Sequence, residues 1–215
     1  MNYTGAQVTH SSSRYSAINA EWDVVFRKMV AGDDAAFESL FASFNPKLQR
    51  YILKQLGAGP HVDDLLQEVW TRVIQLRERS REGGQEATYQ VQAFLFRIAR
   101  NLVIDFLRTR KDHSSLQDVD EALHPRFEAG ELSDPESLVG RAMDLLSFDF
   151  REILVLNLHL GYRLDEIAVM LEKSPDAMWA RASRARAKLR RLVIELAEKE
   201  GVSLRAYLPS ETDQV

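Results

Sequence analysis

The clearest pattern of apolar and polar positions lies in residues 164–192 and predicts two short helices joined by a turn. The first helix has one apolar face at helical spacing, formed by Leu164, Ile167, Ala168 and Leu171. Glu172 and Lys173 fill the turn. The second helix is predicted to begin at Ser174, because a serine hydroxyl can accept a free backbone amide and Pro175 is tolerated in the first turn.

The second of these helices carries two parallel stripes with steps of three and four residues. The apolar stripe consists of Met178, Ala182, Ala185, Leu189 and Leu192. The basic stripe consists of Arg181, Arg184, Lys188 and Arg191. One face is built to pack and its neighbour to meet anions, which is the layout of a helix-turn-helix whose second helix enters the DNA major groove. A solvated basic face on an ordinary bundle helix explains the same charges, and two-helix units also occur without DNA-binding roles.

Upstream, the spacing of apolar residues is helical throughout and nowhere alternates as a strand would. A short helix from Glu21 stops at Gly32, and Asp33 caps the next helix. We expect Pro46 to begin a new turn or to kink that helix. The remaining predicted segments are a helix from Pro60 to Leu76, a loop over Arg77–Thr88, and a helix from about Tyr89 to Lys111.

The segment that follows has a different composition and separates two helical domains. Residues 112–137 hold eight acids against one base, Arg126, which indicates an acidic linker. A capping box over Ser133–Glu136 opens an amphipathic helix carrying Leu138, Ala142, Leu145 and Leu146, and a further helix is closed by Gly161. The predicted fold is therefore all-α, with two helical domains joined by an acidic flexible linker and a helix-turn-helix in the C-terminal one. The expected divisions are 1–20 (flexible lead-in), 21–111, 112–137 (linker), 138–196 and 197–215 (tail).

Composition narrows the classes of function. The chain has 215 residues and no cysteine, so disulfides and thiolate metal sites are excluded, and its five histidines lack ligand-like spacing. No glycine-rich phosphate loop, nucleophile–base pair or metal constellation is recognisable, so we expect neither an enzyme nor a cofactor. No apolar run is long enough for membrane insertion and no secretion signal is recognisable, which predicts a cytoplasmic protein.

The net charge of −4 is unusual for a DNA-binding protein, but the charges are unevenly distributed. Cations crowd into residues 97–111 and 181–191, while acids crowd elsewhere. We therefore expect weak binding to duplex DNA by the isolated chain, and a larger partner for the acidic surfaces.

Two separated segments resemble conserved regions of a bacterial RNA polymerase sigma factor of the small, extracytoplasmic-function (ECF) type of the sigma-70 family. DDLLQEVWTRV (63–73) with AFLFRIARNLVIDFLRTRK (93–111) is similar to the second region of that family. REILVLNLHLGYRLDEIAVML (151–171) with SPDAMWARASRARAKLR (174–190) is similar to the fourth. The pattern FxxRIARNLVIDFxR is the specific part. The resemblance implies a transcription initiation factor that binds core RNA polymerase, directs it to promoter DNA and helps melt the −10 region.

The resemblance also implies a docking surface for the polymerase. It assigns Asp64, Gln67 and Glu68 to the clamp helices of the largest polymerase subunit, and the flap of the second subunit is a further expected contact. Acids and an amide suit an interface whose charge complementarity sets partner and register. For Asp63 we favour a simpler role as a helix-dipole cap.

The resemblance implies a second surface, for the −10 element, formed by Arg97, Arg100, Asn101, Asp105, Arg108, Arg110 and Lys111. Amide and backbone groups can read an unstacked base while cations hold phosphates, with the loop from about Ser80 to Gln92 as a wall. A solvated helix margin is the alternative for each arginine, and Asp105 can simply pair with Arg108.

The third implied surface is the recognition helix for the −35 element, with Ser174, Asp176, Ala177, Trp179, Ala180, Arg181, Arg184 and Lys188. Relatives usually carry a small or hydroxyl residue and a lysine where Ala177 and Trp179 stand. Trp179 replaces that cation with a ring that can touch thymine methyls or bury itself. Glu172 stands where relatives have a turn glycine. Ser147 replaces a common proline and Phe94 a common tryptophan.

Other functions are compatible with the same residues. A sigma-like decoy would bind an anti-sigma factor instead of polymerase, and a stand-alone helix-turn-helix regulator would bind an operator tightly by itself. An anti-sigma factor is also a candidate partner of a working sigma factor. The acidic linker can mimic RNA in the exit channel or serve only as a solubilising spacer.

Overall fold

The computed structural model describes residues 20–81, 90–113 and 135–204, and within these ranges the chain is helical without strands. The elements are α1 (20–30), α2 (Asp34–Leu56), α3 (His61–Arg81), α4 (Val91–His113), α5 (Pro135–Asp144), α6 (Phe148–Leu154), α7 (Leu164–Met170) and α8 (Pro175–Glu200). A π-helical turn, Val155–His159, continues α6. The all-α prediction is confirmed. In the part of the chain that is described, none of the helices combines the length and the apolar character needed to cross a bilayer.

Four predicted segments fall wholly or largely outside the described residues. They are the N-terminal lead-in, most of the loop proposed as a wall of the −10 pocket, the acidic linker with its capping serine, and the C-terminal tail. Their predictions stand as stated above.

The described residues form two compact units. The first consists mainly of residues 20–53 and 59–106, and the second mainly of residues 135–168 and 173–204. The core of the first unit is built from the apolar faces of α1 to α4, including Phe26, Met29, Leu40, Phe44, Leu48, Tyr51, Val69, Val73, Leu95 and Val103. Edge-to-face pairs at 5.6 Å, Tyr51 with Phe96 and Phe26 with Phe94, join α4 to α2 and to α1.

The turn between α1 and α2 is fixed by polar groups. As predicted, Asp33 caps α2, its carboxylate accepting from the Ala36 amide at 3.0 Å. Arg77 reaches back from α3 and donates to the Gly32 carbonyl at 2.9 Å and to the Asp34 carboxylate at 2.6 Å. The predicted loop beginning at Arg77 is therefore wrong in its first part, because α3 continues to Arg81 and Arg77 is anchored.

The expected new turn at Pro46 is also wrong, since α2 runs without interruption from Asp34 to Leu56. A proline within a helix removes one backbone hydrogen bond and normally costs about 3 kcal/mol. The residues around it, Phe44, Leu48, Tyr51 and Ile52, are all buried in the core. Burial of four large apolar side chains on one continuous helical face outweighs the lost hydrogen bond.

In the second unit, α8 packs against both α5 and α6. Leu138, Ala142 and Leu146 point into the core as predicted, but Leu145 is 45% exposed. Leu145 and Leu146 lie in the turn after α5, which ends at Asp144, and in this turn only Leu146 is buried. The prediction for Leu145 is corrected accordingly.

The corner between α5 and α6 contains a buried charge. The side chain of Arg151 is 1% exposed, and its guanidinium donates to the carbonyl oxygens of Met143 (3.0 Å), Asp144 (2.6 Å) and Leu146 (3.1 Å). Burial lowers the pKa of Arg151, but an arginine stays protonated in proteins. Burial raises the pKa of Asp144 to about 6, because it disfavours the charged carboxylate, and the positive charge of Arg151 acts in the opposite direction. Arg151 thus supplies donors to carbonyl groups at the end of α5 and in the turn that follows it.

α8 is longer than the pattern predicted. It continues to Glu200, beyond the boundary expected at residue 196, and ends at Gly201 in the left-handed conformation (φ 68°). The Val202 amide donates to the Ala197 carbonyl at 2.9 Å and closes the helix. An ion pair of 2.6 Å between Arg141 and Glu200 joins this end of α8 to α5.

Removing the buried guanidinium is expected to unfold the corner. Arg151→Ala removes the guanidinium donors of the Asp144 and Leu146 carbonyl groups and one of the two donors of the Met143 carbonyl group. It should lower the free energy of unfolding by about 3–5 kcal/mol. Urea denaturation followed by circular dichroism measures the loss. Arg163→Ala is the matched control, because Arg163 forms an exposed pair with Asp165 at 3.1 Å and should cost less than about 1 kcal/mol. Equal losses in the two variants would contradict the structural role of Arg151.

Candidate functional site

The turn between α7 and α8 has the geometry of a helix-turn-helix. Glu172 adopts the left-handed conformation (φ 54°), and the Lys173 amide donates to the Ala168 carbonyl at 2.9 Å, which closes α7. Ser174 then caps α8, its hydroxyl accepting from the Ala177 amide at 3.3 Å with Pro175 in the first turn. The predicted start of the second helix is confirmed. The left-handed residue explains why a glycine would suit position 172.

The apolar stripe of α8 faces the core of the second unit. Met178, Ala182 and Ala185 are fully buried, and Leu192 is 8% exposed. Leu189 is half-buried. Two of the four most buried residues of this stripe are alanines. Because alanine side chains are small, the buried stripe is narrow and a wide face of α8 remains exposed.

The residues of the predicted basic stripe differ in how far they are exposed to solvent. Arg184 and Arg191 are exposed, whereas Arg181 and Lys188 are half-buried. Arg181 lies 3.8 Å from the Asp149 carboxylate of α6, so its charge is already partly matched within the protein. The other predicted residues of this surface (Ser174, Asp176, Ala177, Trp179 and Ala180) are all exposed.

A further arginine, Arg186, was missed because it lies outside the predicted stripe. It is exposed, and its guanidinium donates to the side-chain oxygen of Asn157 at 2.7 Å. The Asn157 amide nitrogen donates in turn to the Tyr162 carbonyl at 2.7 Å, which fixes the orientation of the amide. Asn157 belongs to the π-helical turn, and no local spacing in the sequence would have paired it with residue 186.

The residues predicted to bind polymerase lie together on α3. Asp64 and Gln67 are exposed, and Glu68 is half-buried with its carboxylate 2.9 Å from Arg72, one turn further along. On the same helix, Trp70 is buried and donates to the Asn45 side chain at 2.9 Å. The structure adds two apolar residues that the sequence did not single out, Phe41 and Ile74, each 40% exposed, and the Phe41 ring lies 4.9 Å from that of Trp70.

The residues predicted for the −10 element share α4. Arg97, Asn101, Asp105 and Arg108 follow one another at intervals of three or four and are exposed, as is Arg110, while Arg100 is half-buried. α4 continues through Lys111, of whose side chain nothing is described. The opposite face of α4 is apolar, with Leu95, Ala99 and Val103 fully buried. The helix therefore presents one polar, mainly cationic face and packs with the other.

The conformation at residue 172 leads to a test of the turn. A left-handed backbone costs a residue with a side chain about 1 kcal/mol relative to glycine. Glu172→Gly should therefore be about 1 kcal/mol more stable than Glu172→Ala, as measured by thermal or urea unfolding. Both variants remove the same carboxylate, so their difference isolates the backbone. If the alanine variant is as stable as the glycine variant, the turn does not hold residue 172 in this conformation.

Comparison with known proteins gives matches to both units. Residues 40–113 match the family described as Sigma-70 region 2, and residues 137–189 match Sigma-70, region 4. All the candidate residues discussed as predicted sites fall within these two ranges.

The individual proteins that this chain is similar to are also sigma factors. The chain is 33% identical over 168 residues to RNA polymerase sigma factor CarQ of Myxococcus xanthus, covering 77% of this chain and 93% of that protein. It is 30% identical over 179 residues to the ECF RNA polymerase sigma factor ShbA of Streptomyces griseus, covering 77% and 91%. Its fold is similar to that of the sigma factor RpoE solved in complex with the anti-sigma factor NepR from Bartonella quintana (TM-score 0.53, 21% identity, covering 73% of this chain and 96% of that one).

Proposed function

The chain belongs to the RNA polymerase sigma factors of the sigma-70 family, of the ECF type, and from that membership we propose how its surfaces divide the work of initiation. It binds core RNA polymerase in the cytoplasm, directs the enzyme to specific promoters and helps melt the −10 region. It acts by binding and catalyses no reaction itself. The observation that carries the proposal is that two regions of this one family match in order, each on a separate helical unit with exposed charged residues.

We assign polymerase docking to the exposed face of α3. Asp64 and Gln67 offer a carboxylate and an amide to basic groups, and Glu68 can exchange its partner Arg72 for one on the polymerase. Because exposed pairs of this kind contribute only about 0.3–0.5 kcal/mol, the exchange is cheap. The apolar surface of Phe41 and Ile74 adds area that gains stability when water leaves it. The expected contacts are the clamp helices of the largest subunit, with the flap of the second subunit as the site for the second unit.

We assign the −10 element to the cationic face of α4. Arginines hold the phosphates of a separated strand, while an exposed amide such as that of Asn101 can hydrogen-bond to the edge of an unstacked base. This division suits a helix whose other face is fixed in the core, because the polar groups then need no large rearrangement to meet DNA.

We assign the −35 element to the outward face of α8. The N-terminal residues of a recognition helix approach base edges, and residues further along contact phosphates. Arg184 is exposed and available for a base or a phosphate, whereas Arg181 is shared with Asp149 and contributes mainly positive potential. An anti-sigma factor that covers these surfaces is a further candidate partner.

A reconstituted run-off transcription assay tests the proposal as a whole. Purified chain added to core RNA polymerase should produce transcripts with defined starts from a library of genomic promoter fragments, and the isolated chain should bind the same fragments weakly. Tight, sequence-specific binding without polymerase would favour the stand-alone regulator. Absence of both core binding and specific transcripts, with capture of an anti-sigma factor, would favour the decoy.

The docking surface has its own mutational test. Glu68→Arg should weaken binding to core polymerase by about tenfold or more, because it places a cation against a basic partner. Fluorescence anisotropy with labelled core enzyme measures the affinity, and the free energy of unfolding should change by less than about 1 kcal/mol.

The matched control for this test is Glu78→Arg. It makes the same charge change at an exposed position further along α3 and outside the proposed surface. It should leave the affinity unchanged. If the two variants behave alike, the assignment of Glu68 to the docking surface fails.

A further inference from the structure

Trp179 is the most exposed of the large apolar side chains in the described residues, with 61% of its surface accessible. None of the ring contacts found among those residues involves it. Scattered apolar residues at a surface are ordinary, but an indole exposes more apolar area than any other side chain. Whether the exposed Trp179 ring has a function therefore depends on where it lies on α8.

Trp179 lies in the first turns of α8 and marks one side of that helix. Ser183, Arg186 and Arg190 follow it at intervals of four, seven and eleven residues, so all four lie on the same side, and all are exposed. We call this side the tryptophan flank. It is distinct from the side occupied by Arg181 and Lys188, which turns towards α6 and is half-buried.

The spacing along the tryptophan flank matches the dimensions of a DNA groove. Seven residues of helix span about 10 Å, and the major groove is about 12 Å wide. When the start of α8 lies in the groove and Arg186 lies near a phosphate, the Trp179 ring reaches the depth of the bases. Arg186 is held ready for such a contact by Asn157 at 2.7 Å. The residues beside the ring, Ala177 and Ala180, are small and do not hold it away from a groove floor.

We propose that Trp179 reads the 5-methyl group of a thymine in the upstream promoter element. This inference rests on the proposed function, because it takes α8 as the helix that enters the major groove. An indole has no charge to offer a phosphate, so its gain on binding comes from removing apolar surface from water. The thymine methyl is the apolar group that base pairs present in the major groove. The indole N–H can donate to acceptors that several bases share, and therefore selects less sharply than the ring does.

Replacing single thymines by deoxyuridine tests the inference, because this change removes the methyl group and keeps every hydrogen-bonding group. The probes are duplexes of promoters identified by run-off transcription, with each thymine of the upstream element replaced in turn. Holoenzyme made with the full chain should bind about fourfold more weakly when the contacted methyl is absent. Trp179→Ala should abolish this discrimination, and Trp179→Phe should retain most of it.

Arg184→Ala is the matched control on the same helix. It should weaken binding to the thymine and deoxyuridine duplexes by the same factor and so preserve their ratio. Circular dichroism should be unchanged for Trp179→Ala, because the side chain is largely exposed.

Three results would overturn the inference while leaving the initiation function intact. The first is a wild-type holoenzyme that is insensitive to every methyl, and the second is a Trp179→Ala variant that retains the discrimination. The third is a Trp179→Ala variant that assembles more weakly with core polymerase without a change in the ratio. The last result would identify Trp179 as a protein contact. Failure of the wild-type chain to form a holoenzyme would instead refute the proposed function, and the inference with it.

Discussion

The guanidinium of Arg151 occupies the corner between α5 and α6, where the carbonyl oxygens of three residues converge on it. Its donors reach Met143, Asp144 and Leu146, and this holds the end of α5 against the beginning of α6. α8 packs against both of these helices. The direction in which α8 presents its outer face therefore depends on a corner whose polar groups are satisfied by one buried side chain. A hydrophobic residue at position 151 would fill the space but would remove the side-chain donors from those carbonyl groups.

Local features of the fold could be predicted because they depend on neighbours in the sequence. The caps at Asp33 and Ser174 need only a side-chain oxygen three residues before an amide, and both are present. The buried stripe of α8 follows from steps of three and four. In contrast, Arg151 sits among apolar residues in a helical pattern, where an arginine normally indicates a solvent-facing position. Its role depends on carbonyl groups brought near by the bend of the chain, and the pattern contains no trace of them.

The candidate surfaces, too, could be predicted only as far as they depend on spacing within a single helix. Periodicity placed Arg181, Arg184 and Lys188 on one side of a helix, but it could not tell that α6 approaches that side and brings Asp149 to Arg181. It missed Arg186 for the same reason, since Asn157 comes from a different element. For Trp179 the sequence left two options, contact with DNA or burial, and the structure has the ring outside. The continuous path of α2 through Pro46 was missed because packing of the whole helix, rather than local propensity, decided it.

The length of α8 has a mechanical consequence. Its 26 residues form a rod about 39 Å long, with the turns that we propose to face DNA at one end and the ion pair between Arg141 and Glu200 at the other. Met178 near the start of the helix and Ala197 near its end are both buried, so the rod is held along its length and presents its outer face as one rigid surface. The last turns of the rod lie beyond residue 189, where the family match ends. Glu200, which joins this end of the rod to α5 through Arg141, therefore lies outside the part of the chain that matches the family.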